Sequence, residues 1–406
     1  MGARAPPRTL SQAVSRRMAK DLDGPNTPKA TTVRVLFVNT NPAWGGGENW
    51  HAINLAQLAD RGHQVAALVH PGGALQRQLA QALPSIDVFL AQHGNLSWLD
   101  PRARRTARRL IQTWQPEAVL VSLPNDAKII LPAAKKLGVP KRIYRRGLAT
   151  AIRNTWLNRD LFRNAATDII VNSLDTKAAV LKNNPALVPE HKIHLVYNGV
   201  PDDPRPLVDV TAAHDQRPPP LALAHKGSGL RIFHAGRLTP QKGQDFLLDV
   251  CAELRRKGHA FQCVIAGTGE LQSHLEQRRA ALNLEQQVHF VGFQGDLVPW
   301  FDWCDVFVMP SRFEGFGFVA VEAMLRARPV VAADASSLRE LVVHKATGRR
   351  VPFGDTEGFV AAVLDCDDGQ VAQAYGLAGR HRALQNFSLK RATDQLEAIL
   401  SGGSRA

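Results

Sequence analysis

Short apolar runs alternate with stretches of helical spacing along most of the chain. Residues 33–38 (VRVLFV) form an apolar run of the kind a buried strand shows. A turn follows over 39–47. Residues 48–61 then place Ile53, Leu55, Ala56, Leu58 and Ala59 at helical spacing, and Gly62 stops the helix. Residues 64–69 give the next strand. Connections this short make a βαβ unit with parallel strands. The rhythm continues with strands at 118–121, 142–144, 168–172 and 192–196, and a helix at 127–137.

Residues 201–229 break the alternation with Pro201, Pro204, Pro206, the run Pro218-Pro219-Pro220 and Lys226-Gly227-Ser228-Gly229, the composition of a linker. A second alternation starts at 230–235 and adds strands at 261–266, 288–291, 306–309 and 329–332. The pattern predicts an α/β protein of two Rossmann-like, doubly wound domains facing across a cleft. The expected boundaries are a disordered basic extension over 1–32, an N-terminal domain over 33–205, a Pro-rich linker over 206–229 and a C-terminal domain over 230–385. A last helix over 386–406 is expected to pack back on the N-terminal domain. Ligands of such sheets bind beyond the carboxyl ends of the strands.

Composition narrows the class. The chain has 406 residues, 45% of them hydrophobic, a length that suits two domains rather than one. No run approaches the 18 or so apolar residues that a membrane span takes. The extension over 1–32 lacks the apolar core of a secretory signal. Four cysteines, Cys251, Cys263, Cys304 and Cys366, include no CxxC pair, which argues against a disulfide scaffold or a cysteine zinc site and for buried thiols in a reducing compartment. Fifty Lys and Arg against 36 Asp and Glu leave a net charge of +14. That charge calls for an anionic partner: nucleic acid, lipid head groups or a phosphorylated substrate.

Candidate chemistry gathers at strand ends. Gly45-Gly46-Gly47 precedes the first helix, where free N–H groups and the helix dipole suit a phosphate, although neither the dinucleotide fingerprint nor a P-loop Lys is present. Arg237 and Lys242 follow the first strand of the second domain, two cations placed for a diphosphate. Gly267 and Gly269 close the next strand and leave room for a flat group such as a base. Glu314 precedes a Gly315-Phe316-Gly317 turn, and Glu322 lies eight residues later in an apolar helix start. A carboxylate there needs a partner, and a sugar or ribose diol supplies two hydroxyls. Asp365-Cys366-Asp367 reads as a helix end rather than a metal site. His51, His70, His93 and His234 form no triad and read as structural. Trp44 is placed either to stack on a sugar or to pack.

Glu314 and Glu322 match the E-x7-E motif of the retaining GT-B glycosyltransferases of family 4, and the chain resembles that family elsewhere. The matching segments are Gly45–Gly47, Tyr197-Asn198-Gly199-Val200, His234-Ala235-Gly236-Arg237 with Lys242-Gly243, Gly267-Thr268-Gly269-Glu270, and 288–292. The resemblance is strong over 230–355 and weaker over 33–200. It implies a nucleotide-diphosphate sugar as donor, held mainly by the C-terminal domain, with no cofactor and no metal. Glu314 would contact the donor sugar, Glu322 the ribose, and Arg237 and Lys242 the diphosphate. Gly46 and Gly47 would offer N–H groups to phosphate or sugar, and Gly267, Gly269, Gly292 and Phe293 would border the base. Many relatives carry a histidine after an N-domain strand. The corresponding segment here, Val121-Ser122-Leu123-Pro124-Asn125-Asp126, has none, which leaves Asn125, Asp126, Arg145 or Arg146 for the acceptor side. Glu340 keeps the family's position after a loop that lacks the usual glycine pair.

The positive charge also has a place. Residues 101–163 hold 15 Lys or Arg and 3 Asp or Glu, a local balance of +12. Its position in the acceptor-side domain points to an anionic membrane surface or an anionic acceptor rather than to nucleic acid, for which no aromatic-interleaved basic motif is present. The resulting expectation is a metal-independent retaining hexosyltransferase acting on a glycan or lipid-linked acceptor in cell-envelope polysaccharide or lipopolysaccharide synthesis. It would work in the cytoplasm or on the inner face of the membrane. The competing readings are a nucleotide-sugar epimerase or phosphorylase on the same plan and a non-enzymatic basic binding protein.

Overall fold

A computed structural model describes residues 32–202 and 229–402. The extension expected over 1–32 and the linker expected over 206–229 fall outside the described residues, save Thr32 and Gly229 at their edges.

The first sheet holds β1 (Arg34–Asn39), β2 (Gln64–Val69), β3 (Asp87–Leu90), β4 (Ala118–Val121), β5 (Lys141–Arg146), β6 (Asp168–Val171) and β7 (Ile193–Leu195), in the order β3-β2-β1-β4-β5-β6-β7. All its pairs are parallel, and Phe37 sits in register with Ala67 on one side and Leu120 on the other. Both faces are buried, which is why the strands read as near-continuous apolar runs. Val35, Phe37 and Leu120 share a core with Trp50, Leu55 and Leu58 of helix Gly46–Asp60. Leu36, Val38, Val119 and Val121 pack from the other face with Ala107, Ile111 and Trp114.

The second sheet holds β8 (Leu230–Ala235), β9 (Phe261–Ala266), β10 (Val288–Phe290), β11 (Val306–Met309), β12 (Val330–Ala333) and β13 (Gly348–Val351), in the order β10-β9-β8-β11-β12-β13, again parallel. Strand order reverses between β1 and β4 in one sheet and between β8 and β11 in the other. Such switch points open a crevice at the carboxyl ends of the strands.

Two strands and a helix appear that apolar runs do not announce. β3 and β13 are short edge strands of four residues: β3 leaves every residue at least partly exposed, and β13 places Arg349 and Arg350 at its part-exposed positions, charge of the kind that resists pairing with other chains. Helix Pro101–Trp114 buries a narrow stripe, Ala107, Ile111 and Trp114, beneath a basic surface.

The chain crosses back at its end. Helix Gly369–Asn386 packs on the second domain, and Ser388 caps helix Leu389–Leu400. Leu396, Ile399 and Leu400 join the core around Trp50 in the first domain. Arg61 binds Asp394 and Glu397 at 2.7 and 2.6 Å, and His63 binds Glu397 at 2.9 Å. Reciprocal backbone bonds between Val200 and the 387–389 segment clip the crossing in place.

Candidate active site

The second switch point assembles the donor-side candidates. Lys242 ends a short turn after β8, and Glu314 follows β11. Because these strands are neighbours, the Lys242 ammonium meets the Glu314 carboxylate at 2.6 Å. Glu314 is only 5% exposed. Its amide donates to Ser336 Oγ at 2.7 Å, and the Ser337 hydroxyl donates to the carbonyls of Glu314 and Phe316. The serines that stand where relatives have glycines therefore brace the turn. Arg237 is exposed and has no ion-pair partner among the described residues. Glu322 lies in helix Phe318–Leu325 with no hydrogen-bond partner among the described residues. Burial pushes its carboxyl up to about 7.

The glycines divide into two groups. A Cβ on Gly267, at φ 134°, would run into the carbonyl of Gly236, and one on Gly269 into that of Leu238. These glycines let two strand-end loops pack together. Gly267 N–H donates to Gly292 O at 2.7 Å, which brings in the Gly292-Phe293 loop, with Phe293 45% exposed. By contrast, a Cβ on Gly315 would strike the carbonyl of Gly147 in the first domain. Gly46 faces the ring of Phe318, 3.5 Å from where its Cβ would lie, and Gly47 faces open space. The two sets of strand-end loops therefore meet, with the Gly45–Gly47 turn against the start of the Glu322 helix. Phe316 is buried, and Gly317 opens that helix.

The first switch point is polar. Glu48 is buried one turn into helix Gly46–Asp60 and accepts from the side-chain amides of Asn39 and Asn41 at 3.0 and 2.9 Å. The field at Gly45–Gly47 thus combines a helix N-terminus with a fixed carboxylate, and it suits hydroxyls better than the bare phosphate site the sequence suggests. Burial pushes His51 down to about 3, so it is neutral. Its Nδ1–H donates to Gly47 O at 2.9 Å, and the Ser122 hydroxyl donates to its Nε2 at 3.3 Å. His234 is likewise buried and pushed down to about 4, donating to Val308 O.

Asp126 is fully buried at the start of helix Pro124–Lys136 and does not reach the cleft itself. It accepts from Thr40 N–H, the Thr40 hydroxyl and His93 Nδ1–H at 3.0, 2.7 and 2.7 Å. His93, in the loop after β3, is thus held by Asp126 at this strand-end edge. A buried, hydrogen-bonded His93 side chain fits the structural role expected from sequence, and no local spacing links it to Asp126. Asn125 donates to Asn95. Arg145, 3% exposed, turns inward: its guanidinium lies 4.4 Å over the Trp50 ring and donates to Asn198. Burial pushes it down to about 10, opposed by Glu48, so it remains charged and is not an open acceptor residue. Arg146 stays at the strand end, donating to Thr150 O and the Tyr144 hydroxyl. Trp44 is 41% exposed rather than packed.

Glu340 latches one domain to the other. Its carboxylate accepts from Leu174 and Asp175 N–H at the start of helix Leu174–Leu181 and from the Tyr197 hydroxyl, at 2.8, 3.1 and 3.0 Å. Burial and Glu340 together push Tyr197 up to about 12.

Two parallel-sheet domains whose switch points face each other, with an E-x7-E pair on one side, define the GT-B class. Solved structures agree on the fold. HepE of Anabaena, in complex with UDP and glucose, matches with a TM-score of 0.74 at 22% identity, over 91% of this chain and all of that one. A glycosyltransferase from Rickettsia africae matches at 0.77 with 19% identity, over 92% of this chain and all of that one. Residues 45–204 match the profile of Glycosyltransferase Family 4, and residues 229–367 that of Glycosyl transferases group 1. The chain belongs to the group 1 glycosyltransferases of GT-B fold. It is 32% identical to the amylovoran biosynthesis glycosyltransferase AmsK of Erwinia amylovora, over 42% of this chain and 44% of that protein. It is 34% identical to a D-inositol 3-phosphate glycosyltransferase of Jonesia denitrificans, over 56% and 55%. These alignments span about half the length of the curated relatives.

Proposed function

We infer that the protein transfers a sugar from a nucleotide-diphosphate donor to a glycan or lipid-linked acceptor, with retention of anomeric configuration and without a metal. The carrying observation is the Lys242–Glu314 pair at the second switch point, joined by Arg237 in the loop of Lys242 and Glu322 in the helix after Glu314, neither of which has an ion-pair partner among the described residues. As the sugar–phosphate bond breaks, negative charge develops on the departing diphosphate. Fixed cations aimed at that charge lower the barrier. Lys242 and Arg237 take this role, while Glu314 receives donor hydroxyls and Glu322 the ribose diol. The acceptor hydroxyl attacks from the leaving-group face and passes its proton to the diphosphate. Glu314, ion-paired to Lys242, is not a nucleophile in this scheme.

The relatives that act in polysaccharide and lipopolysaccharide synthesis support a cell-envelope acceptor. The exposed Arg102, Arg104, Arg105 and Arg109 on helix Pro101–Trp114 support contact with an anionic membrane surface. No helix among the described residues is long and apolar enough to cross a membrane. A thermal-shift screen of UDP-, GDP- and ADP-sugars tests the donor reading, since a ligand of the folded state raises the melting temperature. NMR of the product's anomeric configuration tests retention. No stabilisation by any nucleotide sugar refutes the proposal.

A further inference from the structure

Beside the Asp126 group, at the carboxyl ends of β4 and β5, the first domain carries a pocket of about 250 Å³. Tyr144, Ile152 and Phe162 give it an apolar floor, and Lys128, Arg146 and Arg153 bring three cations to its wall. None of the three has an ion-pair partner among the described residues. The acids of the same stretch are committed elsewhere. Glu117 accepts from the amide of Arg34, Asp126 from Thr40 and His93, and Asp160 from Asn164. Arg146 keeps a buried Nε with no hydrogen-bond partner. Asp126 acts on the Tyr144 hydroxyl at the pocket floor. Its carboxylate is already engaged by three donors.

Three cations without an ion-pair partner around a concave apolar floor give an anion both charge and a place to sit. Guanidinium groups match the oxygens of a phosphoryl group in geometry as well as charge. The pocket is at the small end of ligand sites, with room for one small group rather than a chain. It lies beside the β1/β4 switch point, where the acceptor must lie if the donor occupies the second domain.

We propose that this pocket binds the phosphoryl group of a phosphorylated acceptor, with Lys128, Arg146 and Arg153 as its anion clamp. The identification of the ligand as acceptor rests on the glycosyltransferase reading; the binding of a phosphoryl group does not. A phosphoryl group of this kind belongs either to a phosphorylated sugar or to a polyprenyl-type lipid carrier.

The test is binding without turnover. In full-length protein labelled at isoleucine methyls, the Ile152 signal is followed during titration with glucose 6-phosphate, geranyl phosphate and glucose. Both phosphates are expected to shift it to saturation, and glucose is not. The tighter phosphate identifies the sugar or the lipid as source. Arg146→Gln and, separately, Lys128→Gln should each weaken phosphate binding at Ile152 at least tenfold while retaining the wild-type melting temperature. Having two variants covers the case in which one does not fold. Lys242→Gln, at the donor site, should leave the Ile152 titration unchanged. An Ile152 signal that ignores both phosphates, responds equally to glucose, or is unaffected by both pocket variants overturns the proposal. The nucleotide-sugar screen is independent, so failure of the donor reading and failure of this pocket are distinguishable.

Discussion

Glu322 ties pH, stability and donor binding to one carboxyl group. Its carboxyl rises from an ordinary 4.5 to about 7 because desolvation at this half-buried position disfavours the charged form and no cation offsets it. The folded state therefore holds a proton between those two values that the unfolded chain has released. Stability from this group is fully present below about 4.5 and is lost as pH rises towards and past 7. The loss levels off at about 3 kcal/mol. Glu322→Gln removes the ionisation and keeps the shape. Wild type and variant are expected to match in chemical denaturation at pH 4.5, while at pH 8.5 the variant should be the more stable by up to that amount, about 5 °C in melting temperature. Donor binding should run the other way. Ribose hydroxyls stabilise the carboxylate, so the wild type should bind nucleotide sugar more tightly above pH 7 and release a proton on binding at pH 6. Calorimetry in buffers of different ionisation enthalpy reads that proton directly. A stability difference that does not change with pH would falsify the account, and unchanged affinity in the variant removes the ribose assignment.

Other outcomes follow from the same geometry. Lys242→Ala leaves Glu314 buried without its cation, at a cost of about 3–5 kcal/mol, and turnover should fall by about 10²–10³; a near-normal rate in a folded variant counts against the diphosphate role. Exhaustive chelation should leave activity intact, and loss restored by manganese contradicts the metal-free scheme. Replacing Arg102, Arg104, Arg105 and Arg109 with Gln should abolish sedimentation with phosphatidylglycerol vesicles, and undiminished sedimentation removes the membrane role of that helix. Glu340→Ala removes the carboxylate that caps helix Leu174–Leu181 from the other domain. Solution scattering should then show a larger radius of gyration, and an unchanged radius refutes the latch.

What could be read from sequence depended on burial and on distance along the chain. Central strands such as β4 and β11 are apolar from end to end because helices cover both faces, and β2 and β9 each admit a single Gln; the bounds of all four match the apolar runs. β3 and β13 sit at sheet edges, where side chains are partly exposed and the apolar signal fades. The helix over Pro101–Trp114 was visible only as a cluster of arginines, because its buried stripe is three residues wide. Of the residues assigned to the donor, Glu314 and Glu322 share one segment and Lys242 one loop, so local spacing singles them out. In the first domain, Asp126 and His93 are 33 residues apart and meet only because β1, β3 and β4 end at one edge. Arg145 and Arg146 are adjacent in sequence and both basic, yet strand alternation sends one over the Trp50 ring and leaves the other at the pocket.

The two glutamates of the E-x7-E segment therefore differ in how the empty site compensates them. Glu314 is buried, and Lys242 neutralises it at 2.6 Å. That pairing also holds the ammonium in place for a diphosphate, which on entry offers a second anion to the same cation. Under the proposed donor reading the diphosphate shares that ammonium with Glu314, and exposed Arg237 supplies the further positive charge that an added anion needs. Glu322 has no such stand-in and is kept partly protonated by its surroundings until hydroxyls reach it. The helix that carries it begins against Gly46, and the turn before it passes Gly147 at backbone distance, so both domains shape the space around these carboxylates. Opening the Glu340 latch would bring water to Glu322 and lower the pH at which it ionises. In Glu340→Ala the pH dependence of stability assigned to Glu322 should accordingly shift towards the ordinary carboxylate range. If it stays near 7 while scattering reports an opened molecule, the second domain alone sets the burial of Glu322, and closure plays no part in tuning it.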